Sequence, residues 1–463
     1  MKALKLLIPA FCSMLLLNAC HKAETLNISK AVIQVSKPIT NENLEGAVKG
    51  TLLAGKTYYF KSDITINDGD TLQMQAGVKL IAIGDGKTAE TSPEIINHGT
   101  FISLGTKDAP NYITVQNYAD IHTQAAGGDF TNVFKGYWGG IVCSPSAATP
   151  TNASPNGGDL ILKWTHLEMA GGPSGSNNDP AIYAAGDPRY IIYFGNIKHN
   201  FIIEDSWVFG SKDDAIRVVG GKISVMRNTF ELCGQGGGEF FNMKSGTVGD
   251  IAYNLLIGAA TNALKASDSG SSGTQTNVSM YNNTMVNCGF RQTKSGRGGS
   301  INFEKAARGM IYNNLIVNCR FGTRFVSDAD IANIKYNNQL YYGSSAGIVG
   351  QFLSSDGVAA FQSADIHSAT PKENAPLFIS YDVNQYDYVA NPGPLTVAKQ
   401  TAATVLVGAN NFRLQTGSPA VGKGKTDFAP FGFVTATGDL GANITLPGKD
   451  LGAYQVDGTG NQH

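Results

Sequence analysis

Charge is scarce in this chain. Only 15% of its 463 residues are charged, and 35 Lys and Arg stand against 36 Asp and Glu, for a formal net charge of -1. Phosphate backbones call for a basic excess, so a nucleic-acid partner is excluded, and a charged ligand must be met by a local patch. The seven histidines contain no HxxxH pair and the six cysteines show no zinc spacing, so no transition-metal centre is expected. There is no nucleophile elbow with a matching histidine, which removes a serine hydrolase. Beyond the first twenty residues no apolar run is long enough to span a membrane. Glycine, in contrast, is abundant at 55 residues. A turn-rich, weakly charged composition suits an all-β chain of many short strands.

Self-similarity gives that chain an architecture. "VSMYNNTMVNCG" at Val278–Gly289 returns as "GMIYNNLIVNCR" at Gly309–Arg320. Continuing the register places Asp205, Asn228, Asn254, Asn283, Asn314 and Asn338 in one slot, at steps of 23, 26, 29, 31 and 24 residues. Two positions later stand Trp207, Phe230, Leu256, Met285, Ile316 and Leu340; five later stand Gly210, Cys233, Ala259, Cys288, Cys319 and Gly343. A period in the twenties with no helical stripe predicts a solenoid of short strands. Equivalent residues then stack about 4.8 Å apart. Asparagines carry a donor and an acceptor each, so they can bond one another along the stack. This pattern resembles the asparagine ladder of right-handed parallel β-helices, the pectate-lyase-like fold. Cys288 and Cys319 share a slot on adjacent rungs, as small buried side chains or as a disulfide.

The ends carry further resemblances. Lys2 and Lys5, a short apolar run and Leu17-Asn18-Ala19-Cys20 resemble a bacterial lipoprotein signal. That resemblance implies removal of residues 1–19, lipidation of Cys20, a tether over 20–45, and export to the outer membrane, the cell surface included, with lipid as the membrane attachment. The helix itself is expected over 46–345, with final coils and a C-terminal cap over 346–463. "GSPA" at Gly417–Ala420 and "DLGAY" at Asp450–Tyr454 resemble the closing motif of bacterial β-helix proteins, and the opening coils resemble β-helical surface lipoproteins of Bacteroidota type. Tyr118–Lys135, Ser144–Gly158 and Gly171–Lys198 read as loops or coil insertions. The solenoid is taken as a monomer.

Strand alternation then sorts side chains by face. In "AIRVVG", "EFFNMKSG", "ALKASDSG", "SINFEKA" and "GTRFVSD", the apolar residues from Ile216 and Val218 to Thr323 and Phe325 point inward. Arg217, Asn242, Lys244, Lys265, Ser267, Asn302, Glu304 and Arg324 point outward. An extended polymer along this face meets one rung about every 4.8 Å, close to one sugar per rung. Arg217, Lys244, Lys265 and Arg324 suit carboxylates or sulfates, and Asn242 and Asn302 suit hydroxyls, with Glu304 in the same row. Tyr137, Trp138 and Trp164 are available as sugar platforms. A solvated face of mixed charge is the plain alternative.

"DDAIRVVG", "GEFFNMKSG" and "ALKASD" together resemble the core of polysaccharide lyase family six, over about 60 residues. The resemblance implies Lys244 as catalytic base, Lys265 at the position of a catalytic arginine, Glu239 as a calcium ligand, and calcium as cofactor. Ala266 stands where the family has a histidine, and Gly238 leaves Glu239 without its acidic neighbour. Asp213-Asp214 is similar to part of the acidic set of β-helical polygalacturonases, whose other members are not in place. Three functions follow as expectations: an exported protein that binds acidic polysaccharide, a lyase on the same face, or a structural surface protein without a ligand.

Overall fold

The computed structural model describes residues 37–146, 157–176, 178–268, 273–292, 297–384, 410–434 and 438–463. The signal sequence and Cys20 lie outside the described residues. Among the described residues, no helix is long and apolar enough to cross a membrane.

The chain is a parallel β-helix. Each coil contributes up to three short strands, and the strands of the two large sheets pair in parallel with their equivalents on neighbouring coils, while Phe378–Ser380 and Asn411–Leu414 form a separate antiparallel pair. One face is an eleven-stranded sheet. The remaining strands form two further faces that share the ten-residue strand Thr57–Ile66, which pairs with Lys79–Ala82 at one end and Glu94–Asn97 at the other. One of these faces runs through Thr165–Glu168, Trp207–Ser211, Thr229–Cys233 and Leu255–Ala259. The other runs through Ile192–Phe194, Ile216–Val219, Phe241–Lys244, Asn262–Ser267, Gly299–Glu304 and Thr323–Phe325. Inward residues of all three form one core in which like stacks on like: Phe230 on Leu256 on Met285 on Ile316.

The ladder is real and differs from expectation at both ends. Asn228 donates to Asn254 Oδ1 at 2.9 Å, Asn254 to Asn283 at 2.9 Å, and Asn283 to Asn314 at 3.0 Å. The next members are Ser206, whose amide donates to Asn228 Oδ1, and Gln339, whose Oε1 accepts from the Asn314 amide. Asp205 and Asn338 are not in it. They belong to the preceding column, with Arg227, Tyr253, Asn282 and Asn313, where φ lies between 50° and 61°. Asn and Asp tolerate that left-handed conformation best, so Asn282-Asn283 and Asn313-Asn314 are each one turn residue followed by one ladder residue. The apolar columns shift with them: Val208 rather than Trp207, and Tyr341 rather than Leu340, continue the Phe230 stack. Asn338→Gly is expected to cost under about 1 kcal/mol, since glycine accepts positive φ and only the bond to the Lys423 carbonyl is lost. Chemical denaturation measures it, and a loss as large as that of a ladder asparagine would contradict this register.

Four expected loops or ends also differ. Tyr118–Ala126 is an α-helix, because Ile121 and Ala125, four apart, bury on one side. The Gly171–Lys198 insertion contains the strand Ile192–Phe194, hidden in sequence by its three-residue length. Strands begin at Pro38, inside the stretch read as tether. The stretch Asp450–Tyr454 lies along the flank of the coils rather than over the last rung. Gly452 donates to the Asn313 carbonyl, Ala453 to Thr284 Oγ1, and Asn461 to the Asn228 carbonyl. Leu353 and Ile366 instead bridge to Thr323 and Leu340 in the last coils. Cys143, Cys233, Cys288 and Cys319 are buried free thiols.

Candidate functional site

The outward row forms in the expected register. Tyr193, Arg217, Asn242, Lys265, Asn302 and Arg324 are successive partners, one per coil, and Lys244 pairs with Val219 two positions along, on the same face. Beneath them Ile216, Phe241, Leu264 and Ile301 are fully buried, as alternation requires.

The row is not an open cationic track. Arg217 grips Asp214 Oδ2 through Nε at 3.0 Å and Nη2 at 2.7 Å. Lys265 Nζ stands 3.0 Å from Glu304 and 3.8 Å from Glu239. Arg324 holds Asp356 with two bonds, 3.0 and 2.7 Å, and donates to Asn302 at 2.8 Å. Asn242 and Asn302 are buried and turned to the protein: Asn242 donates to Asp214, and Asn302 to Glu304. The expected hydroxyl contacts of these two amides are therefore already taken by neighbours that brace the rungs. Asn242 Oδ1 is buried with no partner.

Asp214 organises the lower half, a role its sequence context did not reveal. It is fully buried and accepts from Arg217, Asn242 and the Glu239 amide. Burial pushes its carboxyl up, and Arg217 with these hydrogen bonds outweighs it, holding the group at about 2. Burial and the neighbouring Asp214 charge push Glu239 well above the carboxylate range. Burial, with Asp214 beside it, lifts Asp213 to about 7. Four cations, Arg217, Lys244, Lys265 and Arg324, thus face three carboxylates that keep their charge, Asp214, Glu304 and Asp356.

The surplus sits at Lys244. Among the described residues none hydrogen-bonds or ion-pairs with its side-chain amine. It is half-buried. Burial, then Arg217 and Lys265, hold its amine below the usual lysine range, against the pull of Asp214 and Glu239.

Calcium does not fit Glu239. Its Oε1 takes the Asn262 amide at 3.3 Å and faces a lysine, and burial with the Asp214 charge disfavours its ionised form. Among the described residues, no group of three or more His, Cys, Asp or Glu is placed to hold a metal ion.

The aromatic platforms lie elsewhere than expected. Trp138 is core, edge-on to Phe60, with its indole N–H donating to the Glu168 carbonyl. Tyr137 is buried and bonds Asn132, and Trp164 packs near Trp207 and His463. The rings beside the row are Tyr190, with the Arg217 guanidinium 4.1 Å over its face, Tyr183 and Tyr193. "YIIYF" at Tyr190–Phe194 was the signal for them, masked by its place in an apparent insertion.

A second cavity, of about 120 Å³, opens on the face carrying Trp207, lined by His122, His166, Glu168, Trp207 and Glu231. The histidines, scattered in sequence, converge here. Glu168 accepts from Thr114 at 2.7 Å and stands 3.1 Å from His122 Nε2 and 3.4 Å from His166 Nδ1. Tyr112, His166, Trp207 and His463 stack face to face at 4.3, 4.2 and 3.9 Å. Both faces of Trp207 are covered, so no sugar ring can stack on it. Burial depresses the His463 imidazole from 6.5 to about 3. A depressed histidine adds stability above its unfolded value, and that stability is lost as pH falls through the folded one. Acid titration from pH 6.5 toward 3 is therefore expected to release His463 from Trp207, read as a tryptophan fluorescence change that His463→Phe removes. A change identical in both chains would contradict it.

No protein-family model, curated protein or solved structure matches this chain.

Proposed function

We propose that this chain is an exported, lipid-anchored, monomeric β-helix that engages acidic polysaccharide on the face carrying Arg217, Lys244, Lys265 and Arg324, and that Lys244 acts there as the base of a β-elimination. The observation that carries it is Lys244 itself, a half-buried lysine with no ion-pair partner among the described residues and a lowered pKa, beside two paired cations. Perturbed groups of this kind cluster at functional sites.

The chemistry needs little more. A uronate carboxylate brought to Lys244 meets Arg217 and Lys265. Lys265 is opposed chiefly by Glu304 at 3.0 Å, because burial and Asp214 disfavour the ionised form of Glu239, 3.8 Å away. The neutral Lys244 amine takes the C5 proton, the electron pair forms the C4–C5 double bond, and the C4–O bond to the next sugar breaks. The departing oxygen gains a proton; Asp213, raised to about 7, is a suitable donor in the same cluster. Lys244 and Lys265 keep the roles that the resemblance to lyase family six implies, and Glu239 serves as an acceptor for Asn262 rather than a calcium ligand.

The test is a binding titration of the mature chain with alginate, pectate, a glycosaminoglycan and a neutral glucan. Binding of acidic polymers alone, weakening with salt, is expected. Equal binding of the neutral glucan, or none of any, would overturn the reading.

A further inference from the structure

We propose that Arg320 is an anion subsite at the upper end of this row, taking a carboxylate or sulfate of the same polymer about three sugars from Lys244. The inference rests on the polysaccharide reading and adds a residue that strand alternation does not reveal. Arg320 lies at the corner just before the strand Thr323–Phe325, on the coil of Arg324. Lys244 is three coils lower, through Lys265 and Asn302, a span of roughly 14 Å at the strand spacing.

Three observations point to a ligand. First, Arg320 and Phe321 line a cavity of about 360 Å³ with Gln351, Leu353, Ser355 and Asp356. Asp356 joins that cavity to the row, because its carboxylate is held by Arg324. Second, Arg320 has no acid partner among the described residues. Its Nη1 donates to the carbonyls of Gln292 and Arg297, while its Nε is buried with no acceptor. The other cations of the row except Lys244 each have a carboxylate; burial alone acts on Arg320 and lowers its pKa. A partly desolvated guanidinium with an unused donor is costly to keep without an anion. Third, the described residues that meet Arg320 Nη1 from the neighbouring coil, Gln292 and Arg297, bring no carboxylate. The two carbonyl contacts use Nη1 alone and leave Nε unexplained.

The experiment follows the arginine Nε–H resonance of Arg320 in the mature chain, assigned by its loss in Arg320→Gln. The probes are inorganic sulfate, a diuronate and a hexauronate. The resonance is expected to move with sulfate and with the hexamer, and Arg320→Gln is expected to weaken hexamer binding about tenfold without changing the dimer. A hexamer that binds while the resonance stays still, or binds the variant equally, would overturn the subsite and leave the polysaccharide reading intact. A resonance that moves with sulfate in a chain that binds no uronate would overturn the polysaccharide reading and support an anion site. The resonance is read in the wild-type chain, so a variant that failed to fold would not blunt the test.

Discussion

Lys244→Ala is expected to cut release of unsaturated uronate by about a thousandfold, the middle of the range that a positioned general base supplies. Affinity for the polymer falls far less, because Arg217, Lys265 and Arg324 still line the face. Lys244→Arg separates charge from base. Arginine stays protonated at any working pH, so it keeps the positive field and cannot take the C5 proton. The arginine variant is therefore expected to bind like wild type and to be as inactive as alanine. Elimination that survives in Lys244→Arg would remove Lys244 as the base. The lowered lysine pKa also sets a sign: the neutral amine is the active form, so wild-type rate rises with pH toward that depressed value. A rate that falls over the same range would point to a base of another kind.

Asn283→Leu is expected to destabilise the fold by about 3 kcal/mol or more. The side chain is fully buried and works in both directions. It accepts from the Asn254 amide and Nδ2, and donates to Asn314 Oδ1 and the Ile251 carbonyl. Leucine fills similar space and satisfies none of these groups. Each buried polar group left unpaired costs about 1 to 3 kcal/mol, and at least the Asn254 Nδ2 loses an acceptor it shared only with the Val225 carbonyl. Urea unfolding measures the difference. A loss below about 1 kcal/mol would mean that the ladder is a consequence of the coil rather than a support for it.

The interior of the solenoid was legible because its rungs repeat in register. From Asn228 to Asn314 the letters recur, and the columns of Phe230, Leu256, Met285 and Ile316 fall where the sequence puts them. The ends were not, because Ser206 and Gln339 replace asparagine in the ladder while Asp205 and Asn338 imitate it from the turn position. Alternation was enough to bring Arg217, Asn242, Lys265, Asn302 and Arg324 into one row. It carries no information about partners from other segments. Asp356, 32 residues beyond Arg324, neutralises it, and Asp214 neutralises Arg217 from the preceding turn. A row of cations in sequence thus became a braced, nearly balanced face with its surplus at Lys244. The convergence of His122 on His166 and Glu168 was equally hidden, since the helix Tyr118–Ala126 brings it back onto the strand Thr165–Glu168.

The measurement closest to the central claim is the ultraviolet absorbance of unsaturated uronate, followed while the wild-type mature chain is incubated with alginate, pectate and glycosaminoglycans. Absorbance that rises on at least one of these, faster as pH climbs from neutrality, is the predicted result. A flat trace on every uronate that the chain demonstrably binds would contradict the elimination and leave a binding protein on the same face.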